Sequence, residues 1–205
     1  MVRLEVPLVN DSGRVIGYGD RWWTHRVRNG PNGPVLGQKH VGITIACVND
    51  DGQILVEHRK HRIFDKVWSL SGDTHPYRVH GSLRVESLLQ ASRRCAKDDF
   101  GADIRKWRKV LTASYSARDP RNPSYCENEL LHLMVARYGG PVRRNEKNAY
   151  QFRWAGFDEI LKDLESDLKK EPIDRRYAPF VHAVFTLPRA EVKKALSTTG
   201  LTSTS

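Results

Sequence analysis

The sequence predicts an α+β fold with a mixed β-sheet, and three observations support this prediction. Runs rich in β-branched residues, separated by turn-forming Gly, Asn and Asp, occupy most of the first two-thirds of the chain. Apolar residues at helical spacing are concentrated towards the C-terminal end. The 205 residues, 39% of them hydrophobic, suit one domain with a packed core. We predict a single domain over residues 1–196 and a disordered Ser/Thr-rich tail over residues 197–205.

The first part of the chain is predicted to form two β-hairpins. Residues 4–9 and 14–18 flank an Asn-Asp-Ser-Gly turn, and residues 41–48 and 53–58 flank an Asn-Asp-Asp-Gly turn. Between the hairpins, residues 29–34 read Asn-Gly-Pro-Asn-Gly-Pro, a composition that predicts a loop. Residues 68–76 then form a Gly-rich stretch that we expect to be a turn.

The second part is predicted to contain one central helix, three strands and three further helices. Apolar residues at near-helical spacing over residues 87–100, followed by Gly101, predict a helix with a glycine terminator. Strands are predicted over residues 110–115, 130–138 and 150–155. Helices are predicted over residues 157–169, 177–185 and 189–196, with Pro188 separating the last two.

Charge and cysteine content limit the possible partners and the compartment. The net charge is +10, from 34 Lys and Arg against 24 Asp and Glu, which favours an anionic partner or reflects only a soluble basic surface. No nucleic-acid motif is recognisable, so we predict no nucleic-acid partner. The three cysteines, Cys47, Cys95 and Cys126, are odd in number and widely spaced, which argues against a disulfide framework or a Cys-based zinc site.

We predict a cytoplasmic protein without a membrane span. The longest apolar run, residues 43–48, is much shorter than the ~20 residues that a membrane-spanning helix needs. The N-terminal residues lack the apolar core of a signal peptide, and the cysteine pattern is typical of a reducing compartment.

Histidines and glutamates at strand ends are candidate metal ligands. His25, His40 and His75 each lie at a predicted edge between a loop and a strand. Glu127 and Glu129 are two residues apart, so they share a face of an extended segment. Imidazole together with carboxylate suits Mn²⁺, Zn²⁺ or Mg²⁺. Any one of these histidines, taken alone, is more often a surface or structural residue.

A second acidic pair ends the predicted central helix. Asp98 and Asp99 occupy its last turn, where the helix dipole favours cations rather than acids. A bound cation would offset that placement, whereas a solvated surface pair is the alternative.

Several arginines are candidates for binding phosphate, because the guanidinium group pairs with phosphate through two parallel hydrogen bonds. They are Arg21, Arg59, Arg62 and Arg94.

The acidic helix resembles the helix of the Nudix motif. Glu86, Arg94, Asp98, Asp99 and Gly101 follow the spacing of that motif, but aspartates stand where the motif has its glutamate pair. The stretch over residues 77–84 also disturbs the position of the leading glycine.

More specifically, residues 6–185 resemble type I isopentenyl-diphosphate isomerase. The family's sequence pieces occur in order and at suitable spacing, and the resemblance implies a Nudix-like α/β/α sandwich with extra N-terminal strands and C-terminal helices. The matching pieces are Arg21 with Thr24-His25, Lys39-His40, Gly52 to Val56, Val67-Trp68 with His75-Pro76, Tyr115 to Pro120, and Glu127-Asn128-Glu129.

The resemblance implies a role for each matching residue. It identifies one set as ligands of a Mn²⁺, Zn²⁺ or Mg²⁺ ion: His25, His40, His75, Glu127 and Glu129. It assigns Asp99, where the family has glutamate, to a second Mg²⁺ that bridges the diphosphate. It assigns the diphosphate contacts to Arg21, Arg59 and Arg62 or Lys60, with Arg94 as a neighbouring candidate. Tyr115 and Glu129 would form the proton-handling face, and Phe64 and Phe180 the aromatic walls over the hydrocarbon.

One departure from the family pattern affects the predicted reaction. The catalytic cysteine of the family falls at Asp73, and the spacing excludes the three cysteines from that role. The isomerisation needs an acid and a base on opposite sides of a carbocation-like species, and a carboxyl group can serve as either.

Asp73 therefore leaves several hypotheses open. The default is conversion of isopentenyl to dimethylallyl diphosphate with Asp in place of Cys. The first alternative is an isomerase-like terpene cyclase in which Asp73 protonates a longer prenyl diphosphate or a prenylated substrate. A Nudix diphosphate hydrolase and a non-catalytic binder, in which Asp73 only caps a turn, are the others. We expect a small isoprenoid diphosphate as partner and a monomer or weak homodimer.

Overall fold

A computed structural model describes residues 3–31 and 33–197 of the chain. The tail that we predict to be disordered lies, apart from residue 197, outside the described residues. No helix within the described part of the chain is both long enough and apolar enough to cross a membrane.

Most of the strands join one mixed sheet. Its main path runs β10-β11-β5-β1-β2, with β6, β7, β8, β9 and β12 paired to its members. The strands are β1 (Leu4–Val9), β2 (Val15–Asp20), β3 (Arg28–Gly30), β4 (Gly33–Val35), β5 (His40–Val48), β6 (Ile54–Arg59), β7 (Trp68–Ser69), β8 (Gly72–Thr74), β9 (Arg78–Val79), β10 (Arg108–Arg118), β11 (Cys126–Arg137) and β12 (Ala149–Ala155). Strands β5 and β11 run parallel, whereas the other ladders are antiparallel, so the sheet is mixed as predicted.

Helices cover both faces of the sheet. They are α1 (Arg21–Thr24), α2 (Leu88–Phe100), α3 (Phe157–Asp167), α4 (Pro179–Phe185) and α5 (Arg189–Leu196), with a 3₁₀ turn over Pro172–Asp174. Strand β5 is buried along its whole length, and its side chains alternate between two cores. Ile43 and Ile45 pack with α2, whereas Ala46 and Val48 pack with α3, α4 and α5. The predicted α/β/α layering is therefore present.

Local sequence signals account for the ends of α2. Ser87 caps its first turn, with Gln90 N donating to Ser87 Oγ and Ser87 N donating to Gln90 Oε1. Gly101 ends the helix with φ +74°, a left-handed conformation that costs glycine little. The helix predicted over residues 87–100 is confirmed.

Asp167 joins the end of α3 to the segment that leads into α4. This buried carboxylate accepts hydrogen bonds from Arg176 N at 2.8 Å and Tyr177 N at 2.9 Å, and Lys170 Nζ lies 3.0 Å away. Burial raises the pKa of Asp167, but these hydrogen bonds outweigh it and leave the pKa below its ordinary value. The contact holds the C-terminal helices against the sheet.

Three segments differ from their predicted structure. Residues 29–34, predicted as a loop, lie largely in the small β3–β4 hairpin, and the short helix α1 was not predicted. Asp73, expected in a turn, lies instead on β8, where it pairs with Thr44 of β5. Gly72 and Asp73 have low strand propensity, so it is the pairing with the buried strand β5 that makes this segment extended. The prediction that residues 68–76 form a turn is wrong for Trp68–Ser69 and Gly72–Thr74, which are strands.

Candidate metal centre and active site

Three histidines that are distant in sequence meet at one end of the sheet. His25 follows α1, His40 begins β5 and His75 follows β8. Their ring centroids are 4.5 to 5.0 Å apart, and all three side chains are buried. With Glu129 they form a group whose candidate ligand atoms all lie within 4.8 Å of one another. We call His25, His40, His75 and Glu129 the histidine centre.

Each histidine is oriented by a backbone carbonyl. The Nδ1 atoms lie 2.6 Å from Arg21 O for His25, 2.8 Å from Gln38 O for His40 and 3.0 Å from Val41 O for His75. A carbonyl oxygen only accepts hydrogen bonds, so each Nδ1 carries the proton and each Nε2 keeps its lone pair. Histidines that bind a metal through one ring nitrogen typically donate the N–H of the other to a carbonyl or carboxylate in this way.

The electrostatics at His25 and His75 favour neutral imidazoles, which can bind metal. Burial lowers the pKa of His25 to about 3, helped by the neighbouring His40. Burial also holds the pKa of His75 well below its ordinary value. His40 Nε2 is buried without a hydrogen-bond partner and lies 3.4 Å from Glu129 Oε1. A buried lone pair that lacks a donor fits a metal ligand, so these residues suit a divalent cation such as Zn²⁺ or Mn²⁺.

Strand register and a glycine bring Glu129 into the centre. In the parallel β5–β11 ladder, Glu129 is the register partner of His40. A Cβ atom at Gly42 would lie only 2.1 Å from Glu129 Oε2, so any other residue there would displace this carboxylate. Glycine at position 42 therefore makes room for the fourth member of the group.

Tyr115 connects Glu129 to a second buried acid. Its hydroxyl donates a short hydrogen bond to Glu127 Oε2 and lies 3.0 Å from Glu129 Oε2. Burial and the adjacent Glu129 raise the pKa of Glu127 to about 7, and burial raises the pKa of Tyr115 well above its ordinary value. Glu127, predicted as a metal ligand, is outside the group of four, so its ligand role stays a prediction.

Asp73 approaches the same region from β8 and is paired with an arginine. Arg59 Nη1 donates a short hydrogen bond to Asp73 Oδ1. Asp73, Glu127 and His75 line one small inner cavity of about 20 Å³, together with Trp22 and Ile63 among others. Asp73 also lines a larger outer cleft of about 620 Å³. Asp73 thus lies where the inner cavity and the outer cleft meet.

The predicted phosphate-binding arginines divide between these spaces. Arg21 lines both, Arg59 and Arg62 line the inner cavity and Arg94 lines the outer cleft. Arg62 stacks on Trp22 at 4.5 Å from the ring centroid. Arg94 is held by Glu86, with Nε 2.8 Å from Oε1, and its Nη2 donates to the carbonyl oxygen of His75 at 2.9 Å.

The two acids at the end of α2 have different surroundings. Asp98 lines the outer cleft, and its side chain is exposed. Asp99 is buried, with Oδ2 3.0 Å from Cys95 Sγ and Oδ1 2.7 Å from Asn148 Nδ2. Burial raises the pKa of Asp99, although hydrogen bonds from Cys95 and Asn148 lower it in part. The alternative of a solvated surface pair therefore fits Asp98 only.

The predicted aromatic walls occupy different places. Phe64 is buried in the core that faces α3, α4 and α5, and it does not line the inner cavity or the outer cleft. Phe180 of α4 packs against Arg59, whose guanidinium carbon is 4.9 Å from its ring centroid, and lies 6.3 Å from the Tyr115 ring. Contact of either ring with a hydrocarbon stays a prediction.

Sequence reasoning missed several residues that border the site. Tyr77 and His61 line the outer cleft, and His61 and Trp22 also reach the inner cavity. Glu57 is fully buried on β6, and its Oε1 has no hydrogen-bond partner. For Glu57, the sequence contained one signal that could have found it, which was a charged residue within a strand of apolar residues.

No protein-family model matches this chain, and no curated protein matches it either. Solved structures, by contrast, do resemble it. DR0079 from Deinococcus radiodurans is 17% identical with a TM-score of 0.54, over 85% of this chain and 99% of that protein.

Two further structures carry names that state a protein class. The MutT protein from Methanosarcina mazei Go1 is 12% identical with a TM-score of 0.48, over 77% of this chain and 92% of that protein. The MutT Nudix hydrolase from Burkholderia pseudomallei is 20% identical with a TM-score of 0.45, over 60% of this chain and 86% of that protein. At these identities the likenesses concern the fold alone. The predicted α+β fold class, with a mixed sheet between helices on both faces, is confirmed.

Proposed function

We propose that this protein is a metal-dependent enzyme that acts on an organic diphosphate, and that its reaction moves protons to and from an alkene. The observation that carries the proposal is the placement of two carboxyl groups around one cavity beside the histidine centre. Asp73 from β8 and Glu127 from β11 line this cavity, and Tyr115 bonds to Glu127. A pair of titratable groups on different strands is what an acid–base reaction needs.

In the default reaction, isopentenyl diphosphate becomes dimethylallyl diphosphate. The hydroxyl–carboxyl group of Tyr115, Glu127 and Glu129 donates a proton to the terminal alkene carbon, and the π electrons form the new C–H bond. A tertiary carbocation results. A proton then leaves the neighbouring carbon for the second carboxyl group, Asp73, and the C–H electrons form the new double bond. One proton enters the substrate and one leaves it. Proton exchange with water then returns both groups to their starting protonation states.

A divalent ion on the histidine centre would supply positive charge that holds Glu129 and neutralises the carboxylates around it. The three imidazoles and Glu129 would be its ligands. The other contributions to substrate binding come from side chains of the protein. Arg21 and Arg94 line the outer cleft, where their guanidinium groups are suited to a diphosphate. Asp99 would hold a second cation, Mg²⁺, only together with the phosphate oxygens of the substrate.

The size of the inner cavity limits how the alkene can bind. A volume of about 20 Å³ has room for about one water molecule. A five-carbon chain therefore requires that the lining side chains, Trp22 among them, move apart. The 620 Å³ outer cleft, in contrast, is within the range of small-molecule binding sites and could accept a longer prenyl chain. This cleft is the feature that favours the cyclase alternative.

Hydrolysis of a diphosphate is the second candidate function. The name of the Burkholderia protein states that it is a hydrolase. The feature of this chain that favours it is the position of Asp98 and Asp99 in the outer cleft, on the same wall as Arg94. Carboxylates beside arginines can hold Mg²⁺ against a diphosphate.

Incubation in deuterated water distinguishes these reactions. The protein, loaded with Mn²⁺ or Zn²⁺ and supplied with Mg²⁺, is mixed separately with isopentenyl, geranyl and farnesyl diphosphate. Dimethylallyl diphosphate carrying one deuterium supports the default reaction, and a deuterated cyclic product supports the cyclase. Release of phosphate or a monophosphate supports hydrolysis. Binding without turnover identifies a non-catalytic binder, and the chelator-treated protein is the control for metal dependence.

A further inference from the structure

Arg59 is one of the most deeply buried charged side chains in the described part of the chain, with an exposed fraction of 1%. Its Nε donates to Phe64 O and its Nη2 to Ile63 O, both at 3.2 Å, and its Nη1 donates to Asp73 Oδ1. Three of the five N–H donors of the guanidinium group are therefore bonded inside the protein.

The surroundings of this guanidinium group hold it in place. The ring of Phe180 covers it at 4.9 Å, and both carbonyl partners belong to the segment that follows β6. Arg59 does not line the outer cleft, whereas Arg21 and Arg94 do. A diphosphate in the outer cleft would thus meet Arg21 and Arg94, while Arg59 faces Asp73.

We propose that Arg59 is a positioning residue for Asp73 rather than a ligand of the diphosphate. This inference rests on the proposed proton transfer, in which Asp73 exchanges a proton with the substrate. The buried guanidinium group is fixed by two backbone carbonyls, and its bond to Asp73 fixes the orientation of the carboxylate oxygens.

The proton balance is that of the proposed reaction. Asp73 Oδ accepts the proton from the substrate carbon next to the cationic centre, and the C–H electron pair becomes the new double bond. Asp73 is then a neutral acid until its proton passes to water in the outer cleft, which Asp73 also lines. Arg59 keeps its own proton throughout.

Steady-state kinetics of Arg59→Met and Arg94→Met test the proposal. Arg94 lines the outer cleft, and its Nε lies 2.8 Å from Glu86 Oε1. We expect Arg59→Met to lower kcat by about 100-fold and to change KM by less than about threefold, because misplacing a reacting group slows chemistry more than binding. We expect Arg94→Met to raise KM with a smaller effect on kcat. A rise in KM with kcat retained in Arg59→Met overturns the proposal.

A double variant provides the more specific readout. Once Asp73→Asn has removed the base, Arg59→Met should slow the reaction by less than about threefold further, because both changes affect one unit. If the rate losses of the two single variants multiply in the double variant, Arg59 acts independently of Asp73. If Arg59→Met fails to fold, as judged by thermal unfolding, Arg59→Lys replaces it in the same cycle.

A binding measurement separates this inference from the proposed function. Calorimetry with inorganic diphosphate and Mg²⁺ does not require turnover. The proposal expects the affinity of Arg59→Lys to stay within about threefold of the unmodified protein, whereas a loss beyond about tenfold, ~1.4 kcal/mol, would identify Arg59 as a phosphate ligand. Absence of turnover in the unmodified protein counts against the proposed reaction only, and this measurement still decides the role of Arg59 towards phosphate.

Discussion

The two predicted cation sites differ in how many of their ligands the protein itself supplies. The histidine centre brings four candidate ligand atoms within 4.8 Å of one another, and backbone carbonyls fix the histidine rings. At the end of α2, Asp99 bonds instead to Cys95 and Asn148. In the described part of the chain, the histidine centre is the one group of three or more such ligands.

This difference indicates that the two sites bind cations under different conditions. A site with four preoriented protein ligands can bind a metal ion before substrate arrives. A site with one or two carboxylates needs further oxygens, and a diphosphate can supply them. We therefore expect one ion per chain in the free protein and a second ion only with a diphosphate.

The largest expected effect comes from removing a histidine. His40→Ala should lower the affinity for Mn²⁺ or Zn²⁺ by roughly 100-fold or more, since even the outer partners of metal ligands contribute about 10- to 100-fold. Titration calorimetry measures the affinity and elemental analysis the metal content. His132→Ala is the matched control, because His132 lies three residues from Glu129 on β11 and bonds to Thr112 instead. Metal content that survives His40→Ala would refute the centre.

A smaller change tests the space around Glu129. Gly42→Ala adds a Cβ that overlaps the Glu129 carboxylate, so we expect a loss of metal affinity of about 10- to 100-fold, as for a disturbed metal ligand. Gly17→Ala is the control, because a Cβ there meets nothing within 4 Å. Equal metal affinity in the two variants would show that the position of Glu129 is irrelevant to binding.

The acidic end of α2 should respond in a different assay. Asp99→Asn should leave the metal content of the free protein unchanged but weaken Mg²⁺-dependent binding of inorganic diphosphate by about tenfold, ~1.4 kcal/mol. Asp98→Asn, which changes the exposed neighbour, should weaken it less. Loss of the resident metal in Asp99→Asn would contradict the separation of the two sites.

Asp167 shows how a buried acid is held by backbone N–H groups and a lysine, and its removal should affect stability alone. Asp167→Asn should lower the free energy of unfolding by about 1–3 kcal/mol at pH 7 while metal content stays unchanged, since it weakens two backbone hydrogen bonds. The folded-state pKa of Asp167 is lowered, so its contribution is complete above the unfolded value of about 3.9 and disappears as pH falls through the folded value. Denaturant titrations at pH 7 and at low pH measure this difference. A stability gap that persists at low pH would exclude the ionised carboxylate as its cause.

The candidate site could be predicted in part from the sequence. Its residues followed the order of a known family, and the structure brings His25, His40, His75 and Glu129 together, although metal binding there stays a prediction. The cation-binding roles of Glu127 and Asp99 stay predictions, and in the structure Tyr115 bonds to the first and Cys95 to the second. The pairing of Arg59 with Asp73 was not foreseen, because a separation of 14 residues carries no signal of contact.

The sequence by itself determined the features that depend on neighbours along the chain. Turn residues, the Ser87 cap, the left-handed Gly101 and the apolar periodicity act within a few residues, so the α+β class and most elements followed from them. Only the tertiary structure decided the extended shape of Gly72–Thr74, the parallel register that sets Glu129 beside His40, and the burial of Arg59 against Asp73. These features depend on pairing and burial between segments far apart in the chain, and local propensity contains no information about such contacts.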